Sequence, residues 1–367
     1  MQWYEIDSID KIDSPSLIVY TSRAQENINN LIEMVGGNVD QLRPHVKTDK
    51  IAEVCQMMLD KGIRNYKCAT IAEAEMLGIL KTPNVLIAHQ LMGPKLIRLV
   101  TLIKTFPATK FSCLVDNIET ATAISKIMVQ EGLSIDAYID VNIGMNRSGI
   151  MTDKAITLYN ASASLSSIKI IGLHCYDGHI RETDISIRNA QTDAVFENAN
   201  TLRKKLEAIS NSRLEVIMAG SCSFSGHIKR KDIQVSPGTF VFWDWGYKNL
   251  FPDLPFEFAC LVVTRIISII DEYTICTDLG HKAVAAETPM PRVHFLNAPN
   301  AEPVGQSEEH LVVKVQDASK YKVGDVWYGV PVHICPTVAL YDTAIIVKDN
   351  KVVDHWEVVA RKRKITI

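Results

Sequence analysis

Between residues 16 and 220 the chain alternates short apolar, β-branched runs with longer segments whose apolar residues recur at helical spacing. Eight runs read as strands: 17–20, 42–47, 66–70, 84–89, 111–115, 135–142, 169–176 and 215–220, each bounded by turn or capping residues. Several are apolar throughout, the pattern of parallel strands covered on their outer face. Between them, Thr21 or Ser22 can cap a helix over 23–35 ahead of Gly36-Gly37. Leu96, Ile97, Leu99, Val100, Leu102 and Ile103 form one helical stripe, and the longest helix is predicted over about 182–209. The βαβα alternation predicts an α/β fold with a parallel sheet, and eight strands is the number that closes a (β/α)8 TIM barrel. An open doubly wound sheet is the alternative, but no G-x-G-x-x-G follows the first strand to support it.

After Pro237-Gly238 the rhythm changes. Strand-like segments at 257–270, 273–277, 311–315 and 326–330 follow one another without convincing helices, and 344–348 and 351–360 flank Asp349-Asn350, a hairpin turn. The expected organisation is therefore a barrel over 1–245 and a C-terminal β domain over 246–367.

Composition narrows the function classes. The 367 residues are 47% hydrophobic and 22% charged, enough chain for two domains with sizeable cores. A net charge of -3 provides no electrostatic footprint for nucleic acid or an anionic membrane, and the basic run 361–364 reads as a solvated tail. The longest apolar stretch, 258–270, contains Arg265 and falls short of the roughly 18 residues that span a bilayer, so it reads as a core strand. With no signal-peptide pattern at the N-terminus, a cytoplasmic protein is expected. The eight cysteines form no C-x-x-C pair and read as buried thiols, Cys335 excepted.

A (β/α)8 barrel builds its site at the C-terminal ends of its strands. There this sequence places Lys47, Thr70, His89-Gln90, Asp140 to Arg147, His174 to His179, and Gly220 to Ser223. Lys47 can be an ordinary surface lysine; beside other cations it can also lose its proton and form a Schiff base. Gly220-Ser221-x-Ser223 and Ser236-Pro237-Gly238-Thr239 are small hydroxyl-bearing turns of the kind whose N–H groups hold phosphate, though most such turns are only turns. Lysine and turns together suggest pyridoxal phosphate (PLP).

Four stretches carry a resemblance: Arg43-Pro44-His45-Val46-Lys47-Thr48, the run 144–149 with Arg147, the run 172–179 with Tyr176, and His333-Ile334-Cys335-Pro336-Thr337. In this order, from about Asp13 to Arg361, the chain resembles the D-threonine aldolase and D-serine dehydratase family, the metal-dependent branch of alanine-racemase-like, fold-type III PLP enzymes. The resemblance implies an alanine-racemase-like PLP barrel, a β domain and a homodimer with active sites near the subunit interface. It implies that Lys47 holds PLP, that Arg147 bonds its phenolic oxygen and that Tyr176 approaches its ring. Gly220, Ser221, Ser223, Gly238 and Thr239 would cradle the phosphate. Two departures stand out: Asp49 occupies a position where the family usually has histidine, and Ser221-Cys222-Ser223-Phe224 replaces a Gly-Thr-rich sequence.

His333 and Cys335 are two apart, so on an extended segment both would face one ion. Imidazole plus thiolate suits zinc and leaves positions open for water or substrate. H-x-C is weak by itself; the resemblance implies a divalent metal there, and tilts the reading toward the dehydratases, since the aldolases carry aspartate at the second ligand. The expected function is a PLP- and metal-dependent lyase acting on small D-3-hydroxy amino acids, releasing a 2-oxo acid and ammonia. Retro-aldol cleavage to glycine and an aldehyde is the alternative, with a racemase or a PLP-carrier protein further off. The roles of His89, His174, His179 and His310 stay open.

Overall fold

The structure is a computed structural model and describes residues 2–367. Its first nine strands are β1 (Ser16–Tyr20), β2 (Asn65–Cys68), β3 (Asn84–Ile87), β4 (Lys110–Val115), β5 (Ile135–Asn142), β6 (Ile150–Met151), β7 (Ile168–Cys175), β8 (Glu215–Met218) and β9 (Gln234–Val235). The remaining eight are β10 (Cys260–Asp271), β11 (Thr274–Thr277), β12 (Val293–Phe295), β13 (Glu302–Gln306), β14 (Leu311–Lys314), β15 (Val326–Pro331), β16 (Thr343–Lys348) and β17 (Lys351–Glu357). The chain divides into two compact units: one of Ile32–Lys47, Val54–Gly238 and Lys362–Ile367, the other of the residues up to Leu31, Thr48–Glu53 and Thr239–Arg361.

The first of these units holds a curled parallel sheet in the order β2-β3-β4-β5-β7-β8-β9, with β6 beside β5. Strands alternate with helices such as Ile71–Ile79, Pro94–Thr105, Ile118–Gln130 and Ile185–Ser210. The helix Pro94–Thr105 buries Leu99, Val100 and Leu102, but Ile97 of the expected stripe is 65% exposed. Pairing register places Lys67, Leu86, Leu114, Tyr138, Asp140, His174 and Ile217 on one face of the sheet. Leu86, Leu114, Tyr138 and Ile217 pack there as an apolar cluster, and Lys67, Asp140 and His174 are among the polar residues of that face.

Two of the eight expected barrel strands differ. Residues 17–20 form β1 in the other unit, antiparallel to β10 and parallel to β16. An apolar run buried on both faces carries no sidedness, so its sequence is compatible with either sheet. Residues 42–47 form no continuous strand, because Pro44 has no N–H to give to a ladder. They nevertheless bridge both edges of the parallel sheet: Leu42 opposes Val235 of β9, and His45 opposes Lys67 of β2. Arg43 N–H donates to Val235 O at 2.9 Å, Lys67 N–H to Pro44 O at 2.8 Å, and Val46 N–H to Lys67 O at 3.0 Å.

The second unit is a mixed sheet in the order β13-β14-β11-β10-β1-β16-β17, with β15 pairing both β10 and β12. Strands β10, β11, β14 and β15 fall where alternation predicts them, and β12 and β13 are additional. Asp349 and Asn350, at φ 50° and 63°, make the tight turn between β16 and β17; Asn and Asp tolerate that region better than other side chains. Among the described residues no helix is long and apolar enough to cross a membrane. Seven cysteines are buried, Cys335 is half-buried, and among the described residues none forms a disulfide.

Candidate active site

Lys47, half-buried, ends the segment that bridges the two edges of the parallel sheet. Its N–H donates to Nδ1 of His45 at 3.3 Å. Beside it, on β2, Lys67 is 3% exposed and lies with Nζ 3.4 Å from Nε2 of His174. Burial, then the charges of Lys47 and Arg43, lower its pKa to about 7 against the opposing pull of Asp140 and Asp177. His174 sits between Lys67 and a carboxylate, with Nδ1 2.8 Å from Asp140 Oδ1. That contact makes Nδ1 the protonated nitrogen and leaves Nε2 to accept from Lys67. Burial and Lys67 hold the imidazole below its ordinary range. Burial pushes the Asp140 carboxyl up, but hydrogen bonds from His174, Gln90 at 2.8 Å and Ser148 at 3.0 Å prevail and keep it ionised.

Arg147, on the loop after β5, places its guanidinium 4.7 Å from the centroid of the Tyr176 ring. Two glycines make room for that ring. A Cβ at Gly178 would stand 2.3 Å from Tyr176 Cζ, and one at Gly220 2.8 Å from its Cε2. Burial pushes the phenol up to about 12, so Tyr176 is a neutral hydrogen-bonding group near neutral pH.

The turn after β8 is tied down from below. Ser221 Oγ accepts the Gly238 N–H at 3.0 Å, which joins the two expected phosphate turns. Ser223 Oγ accepts from Gly220 N–H at 3.4 Å and donates to Asp177 Oδ1 at 2.5 Å. Asp177 Oδ2 in turn meets His227 Nε2 at 2.8 Å, with both side chains fully buried. Ser223 thus directs its proton inward and shapes the turn. Gly238 belongs to the same unit, whereas Thr239 belongs to the second.

In that second unit His333 caps the short helix Ile334–Val338, so the segment 333–335 is not extended and Cys335 stands in the helix's first turn. The alternation argument for the pair therefore fails. The two side chains still meet, because the turn brings them into hydrogen-bonding contact. Burial lowers the His333 pKa, but Cys335, Asp244 and Glu287 outweigh it and raise the imidazole to about 9. Nδ1 of His333 lies 2.5 Å from Glu287 Oε1, and Cys335 Sγ lies 3.1 Å from Thr48 Oγ1 and 3.6 Å from Thr239 Oγ1. With Nδ1 occupied by a carboxylate, Nε2 is the nitrogen available to a metal, and two hydroxyls can support a thiolate. Buried Asp244 fixes the turn, accepting from Ile334 N–H at 3.1 Å and Tyr247 N–H at 2.8 Å. Among the described residues no set of three or more His, Cys, Asp and Glu side chains converges on a metal position. The donors present suit an ion held by two protein ligands with positions left open.

The other candidates separate. His89 is exposed, with Nδ1 3.1 Å from the Gln90 carbonyl. His179 packs over Gly144, where a Cβ would stand 2.7 Å from its Nε2. His310 is exposed, and its carbonyl accepts from Ser307 N–H. Reading strand ends missed Lys67, because it lies inside a strand. The available signal was a single lysine between Tyr66 and Cys68 in an otherwise apolar run. Asp244 and Glu287 carried no comparable signal, since their partners are about 90 and 46 residues away.

The model of the family described as alanine racemase, N-terminal domain, matches residues 19–244, and that of a putative serine dehydratase domain matches 259–347. The chain is 26% identical over 363 residues to a D-threonine aldolase of Arthrobacter sp, covering 97% of this chain and 94% of that one. It is 22% identical over 377 residues to a D-threo-3-hydroxyaspartate dehydratase of Delftia sp. (strain HT23), covering 96% and 98%. The crystal structure of D-threonine aldolase from Filomicrobium marinum superposes with a TM-score of 0.87 at 26% identity, covering 95% of each chain.

Proposed function

We propose that the chain, which belongs to the alanine racemase N-terminal-domain family and continues into a serine-dehydratase-type domain, is a PLP- and metal-dependent lyase of D-3-hydroxy amino acids that converts them to a 2-oxo acid and ammonia, the water lost on elimination being regained on hydrolysis of the imine. The observation that carries this reading is the His333–Cys335 pair, braced by Glu287 and Asp244, in a chain whose other unit carries Lys47 on a segment tied to the Ser/Gly turns through the bond from His45 N–H to the Pro237 carbonyl. Relatives that match over nearly their whole length are lyases of D-amino acids by name, which supports an enzyme over a PLP carrier. In this reading the segment 42–47 would count as one stave of a (β/α)8 barrel, a view supported by its isolated bridges to β2 and β9.

PLP, when bound, supplies an electron sink for charge developing at the substrate Cα, and a divalent ion supplies polarisation of the β-hydroxyl. The chain's own residues do the rest. Lys47 anchors the cofactor and, once released, takes the α proton on Nζ. Arg147 donates to the cofactor's phenolic oxygen while the Tyr176 ring, wedged over Gly178 and Gly220, limits where the cofactor ring can lie. Gly220, Ser221 and Gly238, with Thr239, offer the phosphate N–H and hydroxyl donors; Ser223 holds their turn from beneath. His333 and Cys335 hold the ion, with Glu287 orienting the imidazole.

Retro-aldol cleavage is the second reading, favoured by the Arthrobacter relative. The deciding experiment incubates the protein with D-serine, D-threonine and D-3-hydroxyaspartate and assays 2-oxo acid and aldehyde separately. Dehydration yields 2-oxo acid and ammonia from each accepted substrate. Aldehyde and glycine in their place would establish the aldolase instead. Lys47→Ala should abolish the visible absorption of the PLP-loaded protein, and a retained band would remove Lys47 from its assigned role.

A further inference from the structure

The parallel-sheet unit contains a second lysine that the reading above does not use. Lys67 projects from the middle of β2, opposite His45, and Val46 N–H bonds to its carbonyl, so the segment ending in Lys47 is stitched directly to it. Its side chain is 97% removed from solvent, yet Nζ meets a histidine ring rather than a carboxylate. The charged groups that act on it most strongly are Lys47 and Arg43 from the bridging segment, Asp140 from β5 and Asp177 beyond β7, with His174 of β7 in contact and the Tyr176 ring 5.8 Å away. Two of the four full charges are cations. Asp140 is already satisfied by His174, Gln90 and Ser148, and Asp177 by Ser223 and His227.

An ammonium in such a place needs a compensating charge that its neighbours have largely spent. Removing a like charge nearby changes that balance, and of the neighbouring charges Lys47 acts on Lys67 most strongly. We propose that Lys67 is a charge-compensating positioning residue: its amine is neutral while Lys47 is an ammonium, and its Nζ lone pair accepts one proton from solvent when the charge at Lys47 is removed. The arrangement tolerates both states, because neutral and charged Nζ alike can donate to His174 Nε2, which Asp140 keeps unprotonated by holding the proton on Nδ1. One lysine charge thereby stays in the interior whichever side chain carries it, available to an anionic ligand.

The coupling belongs to the two lysines themselves; only its functional consequence rests on the reading of Lys47 as the cofactor lysine. It is tested on the cofactor-free protein, with the lysine Cε carbons labelled with carbon-13 and titrated by NMR, Lys67 being assigned from the Lys67→Met spectrum. The wild-type Lys67 midpoint is expected at about 7 and that in Lys47→Met about 1 to 2 pH units higher. Lys47→Gln, which also removes the charge, raises the Lys67 midpoint by the same amount, so the test survives if the methionine variant fails to fold. A packing role alone would leave that midpoint in place. An unmoved midpoint in either variant overturns the proposal. Moved midpoints without a visible band on adding PLP would defeat the role of Lys47 as cofactor lysine and leave the coupling standing.

Discussion

Asp49 is 1% exposed, and its Oδ1 accepts the Ile51 N–H at 3.3 Å, at the entry to the helix Ala52–Asp60. The carboxyl group therefore serves the local backbone, which a histidine would serve differently, and it stands next to Thr48, the neighbour of the Cys335 sulfur. Asp49→His replaces an acidic side chain with a basic one, so a substrate with a second carboxylate gains most. The ratio of kcat/KM for D-3-hydroxyaspartate over D-serine should rise about tenfold, an energy of about 1.4 kcal/mol. Asp49→Asn, which keeps the acceptor for Ile51, should move the ratio in the same direction. Unchanged ratios in both variants would retire Asp49 as a determinant of substrate choice. At this scale the sequence is legible as candidates where chemistry coincides with a predicted strand end, as for Lys47, Arg147 and Tyr176. It was not legible for Lys67, Asp244 and Glu287, whose significance comes from partners that only the fold supplies.

Among the elements, β7 shows how a single residue holds a strand in register. Its ladder with β5 shifts between Ala137 and Tyr138, and there Gly172 faces β8 so closely that a Cβ would stand 2.3 Å from the Glu215 carbonyl oxygen and 2.9 Å from Tyr138 Cδ1. The clash is with backbone, which cannot turn aside as a side chain can. Gly172→Ala should cost about 2 kcal/mol or more in urea unfolding. Gly305→Ala, whose Cβ would meet only Val312 at 3.8 Å, should cost less than about 1 kcal/mol and serves as the control. Equal losses would show that the close approach at Gly172 does not limit the strand. The same element logic explains what could be read in advance. Runs with turn residues on both sides were found almost without exception. The assignment of 17–20 to a sheet was not available, because an apolar run buried on both faces looks the same in either one. In 42–47 the apolar pattern was right but Pro44 denied it a ladder. The His333 and Cys335 side chains meet, but through a helical turn and not an extended segment.

For the molecule as a whole, the residues proposed to hold cofactor and metal fall largely in different compact units: Lys47, residues 220–223 and Gly238 in one, His333 and Cys335, with Thr239, in the other. Loss of the metal should therefore be separable from loss of the cofactor. A structural metal closes its site with four protein ligands and contributes folding energy outright, whereas this pair is also braced by protein groups: Glu287, Asp244 and Thr337, whose Oγ1 donates to the His333 carbonyl at 2.8 Å. Chelation should consequently abolish turnover while the visible band of the PLP-loaded protein persists and Tm falls by no more than about 5 °C, the order of a single weak ligand's contribution. His333→Ala should reproduce the loss of turnover, and neither treatment should release PLP. If chelation collapsed the band and the fold together, the ion would be structural and its proposed role at the β-hydroxyl would fall. If turnover survived with the metal demonstrably gone, elimination would have to proceed on Lys47 and the cofactor alone, and the His333–Cys335 pair would lose its place in the reaction.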